Sequence, residues 1–177
     1  MKYTMAGVQT ERLRFRAISR SDFDAWLEFH KDPKTHEHWI AESEAPETEC
    51  EKWYRKQFFR YENGLGGMNA LIEKRTGLFI GHCGLLVQTV DHITELEIAY
   101  SLLPGSRNNG FATEAAKKCR DVAFEHAFAP SLISIISVTN TPSEKVALKN
   151  GMTLDKTTEY KGNKVNIFRI CREEWKR

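Results

Sequence analysis

Apolar and polar residues alternate from Arg12 to Ile18, the two-residue period of a strand with one buried face. The period then changes. Ser19 to Asp22 offers capping side chains, and Phe23, Trp26, Leu27 and His30 follow at helical spacing until Asp32-Pro33 ends the run. Glu37 to Thr48 is irregular and acidic, with Trp39 and Ile40 expected at the surface. A second helix is predicted from Glu49 to Glu62, with Trp53, Phe58 and Tyr61 as candidate core residues and Gly64, Gly66 and Gly67 as its end. Strands at Met68 to Glu73 and Leu78 to Val87 flank Lys74-Arg-Thr-Gly77, a hairpin signal. Glu95 to Leu102 is a fourth strand, closed by Pro104-Gly105. Its alternation puts Glu95, Glu97, Ala99 and Ser101 on one face and Leu96, Ile98, Tyr100 and Leu102 on the other.

The clearest helix follows. Ala112, Ala115, Ala116, Cys119, Val122, Ala123 and Ala127 form one stripe of small residues suited to close packing on a sheet. Leu132 to Val138 reads as a short buried strand. Thr141 to Asn150 reads as a helix, capped by Asn140 or Thr141 and stopped by Gly151. Met152 to Tyr160 and Lys164 to Cys171 pair around Lys161-Gly-Asn163. The predicted order is βααβββαβαββ, a mixed α/β layered fold around a mostly antiparallel twisted sheet.

The segment joining the fourth strand to the small-residue helix carries the most chemistry. Arg107-Asn-Asn-Gly-Phe-Ala112 combines a cation, two asparagines and Gly110. Gly110 takes a left-handed backbone without strain, and Asn108 and Asn109 are the next most tolerant residues. Such a loop can turn successive N–H groups toward one point, and the helix it opens adds its own unpaired first-turn amides. Together they suit a diphosphate, with Arg107 adding a full positive charge. The plainer reading is a simple turn at Gly110. Glu114 opposes an anion in the first helical turn and has to face away from one.

At 177 residues the length suits one domain, residues 1–177, with room for a substantial core. A net charge of +2 sets up no basic field for nucleic acid. Cys50, Cys83, Cys119 and Cys171 are scattered, which fits reduced thiols rather than a disulfide frame or zinc site. No apolar run reads as a membrane span or a signal peptide, so a soluble cytoplasmic protein without membrane partners is expected.

Arg107-x-x-Gly110-x-Ala112, after Glu-Ile-Ala-Tyr and before Thr-Glu-Ala-Ala, resembles the acetyl-CoA loop of the GNAT acetyltransferases, and the wider pattern their RimJ/RimL-like branch. Three further stretches agree in order. They are Thr10-Glu-Arg-Leu-Arg-Phe-Arg16 with Ser21-Asp22, Leu78-Phe-Ile-Gly-His-Cys-Gly-Leu85, and Asn140-x-x-Ser143-x-x-Val146-x-x-Lys149-x-Gly151-Met152. The resemblance implies acetyl transfer from acetyl-CoA to an amine, with the cofactor's diphosphate on Arg107, Asn108, Asn109, Gly110, Phe111, Ala112 and Thr113. It implies that the pantetheine arm runs along the backbone of Tyr100, Ser101 and Leu102, where the fourth and fifth strands splay. It also implies Asn140 on the cofactor arm and Ser143 near the thioester sulfur. Many relatives have a tyrosine acid four residues before the motif's glycine. Here that position is Ala147, which shifts weight to Ser143. Relatives often have Gly where this chain has Asn108.

An attacking ammonium must lose a proton, and Glu97 is the leading base. Burial and repulsion from Glu95 could raise its pKa toward neutrality. Glu159 is the alternative base. A solvated sheet face for Glu97, an ordinary core strand for Tyr100 to Leu102 and simple capping by Asn140 and Ser143 stand as plainer readings. Trp39, Trp53 and Tyr61 serve as either acceptor pocket or core. The acceptor wall is expected at Glu37 to Glu49 and Tyr160 to Asn163. There Glu37, Glu42, Glu44, Glu47 and Glu49 favour a cationic acceptor, either a protein N-terminus or a small amine. His36-Glu37-His38 lacks a third nearby ligand, so no metal is expected. A non-catalytic acyl-CoA-binding module is the rival function. A monomer and a homodimer are both open.

Overall fold

The computed structural model describes residues 2–40 and 44–175. Glu42, one of the acidic residues expected in the acceptor wall, lies outside them. The alternation at the N-terminal end forms β1 (Leu13–Arg16), with Leu13 and Phe15 buried and Arg14 exposed. α1 (Phe23–Lys31) ends before Asp32-Pro33, as predicted, but the same pair starts another helical turn, α2 (Pro33–His36). The Asp32 carboxylate accepts the Lys34 N–H, and Pro33 fills the first helical position, where a missing N–H costs nothing. α3 (Pro46–Glu62) begins at Pro46 rather than Glu49 for the same reason.

The remaining strands are β2 (Gly66–Glu73), β3 (Phe79–Val90), β4 (Ile93–Leu102), β5 (Ser131–Ser137), β6 (Thr153–Tyr160) and β7 (Asn163–Cys171). With β1 they form one sheet in the order β1-β2-β3-β4-β5-β7-β6. Every neighbouring pair is antiparallel except β4 and β5, which are parallel. α4 (Phe111–Glu125) connects those two strands, and α5 (Thr141–Lys149) follows β5. The expected mixed, mostly antiparallel sheet flanked by helices is the observed architecture, with α2 as an added turn.

The two sheet faces differ in character. On one, Leu96, Ile98 and Leu102 of β4 pack with Phe111, Ala115, Ala116, Cys119, Val122 and Ala123 of α4 in the main core. Ala127, expected in the α4 stripe, instead lies exposed beyond the helix with φ 51°. On the other face, Ile18, Trp26, Cys50 and Tyr54 form a second cluster under α1 and α3.

The expected core residues of α3, Trp53, Phe58 and Tyr61, pack against this second cluster, but they are not the helix's most buried side. Its buried residues are Cys50, Tyr54, Gln57 and Arg60, while Trp53, Phe58 and Tyr61 are only half-buried. The cause is polar. Gln57 accepts the Met68 N–H at 3.0 Å, and Arg60 donates to the carbonyls of Leu65 at 3.0 Å and Val87 at 2.6 Å. These side chains satisfy backbone groups of β2, β3 and the turn before them, so α3 turns its polar flank to the sheet. Trp53 packs against Trp26 and His82, and the Tyr61 hydroxyl donates to the Met68 carbonyl. Both therefore belong to the fold rather than to a pocket, whereas Trp39 remains 37% exposed.

Candidate active site

β4 and β5 pair in register at Glu97↔Ile133, and no pair beyond it is formed among the described residues. The strands part there, leaving one edge of β4 from Ile98 to Leu102 without a ladder partner in β5. Ser134 donates its hydroxyl to the Ile98 carbonyl at 2.8 Å, closing the near end of the gap. Tyr100, Ser101 and Leu102 lie along the open part.

Glu97 stands at the mouth of this gap, on the α3 face, and is 8% exposed. Gln88 Nε2 donates to its carboxylate at 2.6 Å, and the Ile135 amide donates to it as well. Burial raises its pKa above the usual carboxylate value, and these donors, with Arg60 and Lys56, offset only part of the rise. Glu95 shares the face as expected but plays no part in the shift. Arg169 holds it bidentately at 2.7 and 3.1 Å, so its charge is locally matched. Glu159 is exposed on β6.

The loop before α4 has the predicted backbone. Asn108 has φ 63° and Gly110 has φ 78°. Gly110 is the N-cap of α4, and no side chain caps that end. α5 provides the contrast, because Asn140 accepts the Ser143 N–H at 3.1 Å and uses its side-chain oxygen as a cap. The first-turn amides of α4 thus remain available to a ligand.

The cation at this loop is not the expected one. Arg107 points away from the α4 amides: it donates to Asp32 at 2.5 Å, to the Thr35 hydroxyl at 3.2 Å and to the Leu102 carbonyl at 3.2 Å. Burial alone would raise the Asp32 carboxyl, but Arg107 and the Lys34 amide outweigh it and hold the group below its usual value. Arg12 takes the place by the loop. It donates to the Asn109 carbonyl at 2.9 Å and to Glu114 at 2.6 Å, and its guanidinium lies over the Phe111 ring. Glu114 also accepts the Thr10 hydroxyl at 2.5 Å and the Arg12 amide at 2.9 Å. The negative charge that opposed an anion site is thereby bound on the β1 side. A cleft of about 370 Å³ beside Gly110 and Thr113 is edged by Lys117 and Lys149 and also by Glu11 and Glu114. A groove of about 900 Å³ lies beyond the same loop, between α1 and the β2–β3 turn, and reaches neither Glu97 nor Ser143.

Arg107→Ala is therefore expected to lower stability by about 1.5–3 kcal/mol, the range for a hydrogen bond to a charged group, and to leave the loop's affinity for an anion little changed. Because Asp32 titrates low in the fold, the stability gap should shrink as pH falls through that depressed value. Denaturant unfolding across pH checks the first point, and titration with acetyl-CoA the second.

A family model for the acetyltransferase (GNAT) domain matches residues 12–153. The chain belongs to the GNAT acetyltransferase family. It is also similar to the uncharacterized protein YkkB of Bacillus subtilis (strain 168), with 37% identity over 99 residues. That match covers 55% of this chain and 58% of YkkB, so it spans little more than half the length of that relative. Among solved structures, an acetyltransferase from Agrobacterium tumefaciens str. C58 superposes with a TM-score of 0.78 at 24% identity, covering 96% of each chain. The ribosomal-protein-S5-alanine acetyltransferase from Vibrio fischeri gives 0.69 at 16% identity, over 96% of this chain and 98% of that one. Identities this low speak for the fold, which both share.

Within this GNAT fold, Ser143 and Glu97 sit on opposite sides of the sheet. The Tyr100 hydroxyl, on the α4 face, donates to the Ser143 carbonyl at 2.7 Å. Ser143 is half-buried, and Ala147 in the usual tyrosine position is buried in the core. Tyr100 thus brings a tyrosine hydroxyl from β4 to the start of α5.

The two expected acceptor walls do meet. Ile40 donates its N–H to Asn163 Oδ1 at 2.6 Å, and Asn163 Nδ2 donates to the Ile40 carbonyl at 3.2 Å. The acidic residues there are largely engaged: Glu44 with Lys52, Glu37 with His38 and Glu49 with His36. Sequence reasoning missed the basic side of the site. Arg60 and Lys56 of α3 lie near Glu97, and Lys161 of the β6–β7 turn lies beside Lys56. The surrounding protein, then Lys161 and Arg60, pull the Lys56 amine down to about 8. Tyr160 donates to Gln88, which in turn holds Glu97. The sequence signal was the polar flank of α3, where Lys56 and Arg60 fall at i, i+4.

Proposed function

We propose that this chain is an acetyl-CoA-dependent N-acetyltransferase, cytoplasmic, acting by direct attack of a primary amine on the thioester in a ternary complex. The observation that carries the reading is a buried carboxylate, Glu97, placed where β4 and β5 part. The diphosphate would lie on the uncapped amides of α4 and the Asn108 to Gly110 backbone, and the pantetheine arm along Tyr100 to Leu102. An amide on that open edge would hold the carbonyl oxygen as negative charge develops. Glu97 would take the proton of the amine from the α3 face. The thiolate would leave toward Ser143 on the α4 face, where a hydroxyl can donate to sulfur. Base and leaving group thus approach the thioester from opposite sides of the gap.

Lys56, Arg60 and Lys161 support an acceptor that carries an anionic group beside its amine, such as an amino acid or an N-terminal segment with an acidic side chain. They disfavour a polyamine, whose charges they repel. The test is thiol release from acetyl-CoA with a panel of polyamines, amino acids, and neutral and acidic N-terminal peptides. Activity confined to polyamines would overturn the acceptor assignment. Acetyl-CoA binding without thiol release across the panel would favour a non-catalytic acyl-CoA-binding module.

Ser143→Ala is expected to lower turnover at saturation more than it weakens acetyl-CoA binding, because the thiolate charge exists only late in the reaction. A loss of affinity with unchanged turnover would make Ser143 a cofactor contact alone.

A further inference from the structure

Three helices meet at side chains that acetyl transfer does not use. His30 lies in the last turn of α1, His36 ends α2, and Glu49 lies in the first turn of α3. Glu49 Oε2 is 3.2 Å from His36 Nε2 and 3.7 Å from His30 Nδ1. One donor atom from each residue falls within 4.8 Å of the other two. His30 supplies a second, independent observation. It is 8% exposed, lies edge-on to Trp26 and Phe29, and neither ring nitrogen has a hydrogen-bond partner among the described residues. Burying a polar group without a partner is costly, and most such groups have one.

We propose that His30, His36 and Glu49 bind one divalent transition-metal ion, zinc by the chemistry of the donor set. Two imidazoles and a carboxylate are a zinc ligand set, and bonds of about 2.0–2.1 Å place tetrahedral donors roughly 3.3 Å apart. The separations of 3.2 and 3.7 Å lie on either side of that value. The remaining one would close by rotation of His36, which is exposed. His36 Nε2 also lies 3.2 Å from the His30 carbonyl. The fourth position opens to solvent on the His36 side.

The ion would clamp a corner that matters elsewhere. Asp32 and Thr35, between the two histidines in sequence, are the residues that hold Arg107 beneath the loop before α4. His38 is not part of the cluster; it bonds Thr139 at 2.9 Å and Glu37 at 3.2 Å. The sequence triplet His36-Glu37-His38 therefore divides, and the missing ligands come from α1 and α3.

The test is calorimetric titration of chelator-stripped full chain with zinc sulfate, with the visible absorption of added Co²⁺ as a second readout and no acetyl-CoA present. Wild type should bind one ion per chain, show a four-coordinate Co²⁺ spectrum and melt higher with zinc. His36→Ala and Glu49→Gln, at partly exposed positions that the fold tolerates, should weaken zinc by about 10–100-fold or more, since even residues that only support a ligand cost that much. His38→Ala should bind as wild type does. No binding to wild type, binding that survives both ligand variants, or binding lost in His38→Ala would each overturn the assignment. None of these readouts depends on acetyl transfer.

Discussion

Glu97→Gln is expected to lower turnover at neutral pH by about 10²–10⁴-fold, the usual worth of a positioned general base. Glutamine keeps the shape and a carbonyl acceptor for the Gln88 amide, but it cannot take a proton. Acetyl-CoA binding should barely change. The pH profile gives the sharper test. A base works only when ionised, and burial has raised the pKa of this one. The wild-type rate should therefore climb with pH through that raised value, and the climb should be missing in the variant. The deficit should shrink at high pH, where free amine is already abundant. Stability should move the other way. A carboxyl whose folded-state pKa is raised favours the fold while protonated, and that stability is lost as pH rises through the folded pKa. Glutamine stays neutral, so the variant should gain stability relative to wild type as pH rises from below the ordinary carboxyl range toward neutrality. A rate profile and melting curves over one pH series measure both effects. A wild-type rate profile in Glu97→Gln would move the proton elsewhere, to Glu159 or directly to water.

The residues that set this environment show what the sequence could and could not yield. Period-two alternation in β4 placed Glu97 opposite the core-facing Ile98 and Tyr100, because backbone geometry alone fixes which side a strand residue takes. The left-handed loop was also legible, since Asn108 and Gly110 are residues that tolerate φ 63° and 78°. Partner choice was not legible. Arg107 and Arg12 are both cations within reach of the loop. Asp32 and Thr35 claim the first, and Glu114 and Asn109 the second, through contacts between residues 72 to 102 positions apart. α3 was read only in part for a related reason. An amphipathic reading assigns Trp53, Phe58 and Tyr61 to the core and gives Gln57 and Arg60 no role. The sheet beneath carries backbone groups and a buried carboxylate that need polar partners, and this overrides the hydrophobic pattern. The His30, His36 and Glu49 cluster escaped for the same reason, because its members come from three helices whose packing sets their distances.

Gly110→Val is expected to abolish most acetyl-CoA affinity while the chain still folds. Gly110 caps α4 at φ 78°, and a Cβ there would meet only Arg12 Nη2, at 3.4 Å. The space is open, so the variant is strained by backbone conformation rather than by a clash, at about 1–2 kcal/mol. That strain has two outlets. The chain either keeps the left-handed cap and places an isopropyl group where the ligand approaches, or it relaxes the cap and turns the first amides of α4 away. Both remove bonds from backbone N–H groups to the diphosphate. A hydrogen bond to a charged group is worth about 1.5–3 kcal/mol, roughly 10- to 150-fold in affinity for each one lost. Calorimetric titration with acetyl-CoA, alongside a melting curve, measures affinity and fold separately. Gly110→Asn carries the same test if the valine variant does not fold, because asparagine accepts φ > 0 and still adds a side chain at the approach. A folded variant at this position with wild-type acetyl-CoA affinity would remove the diphosphate from the loop.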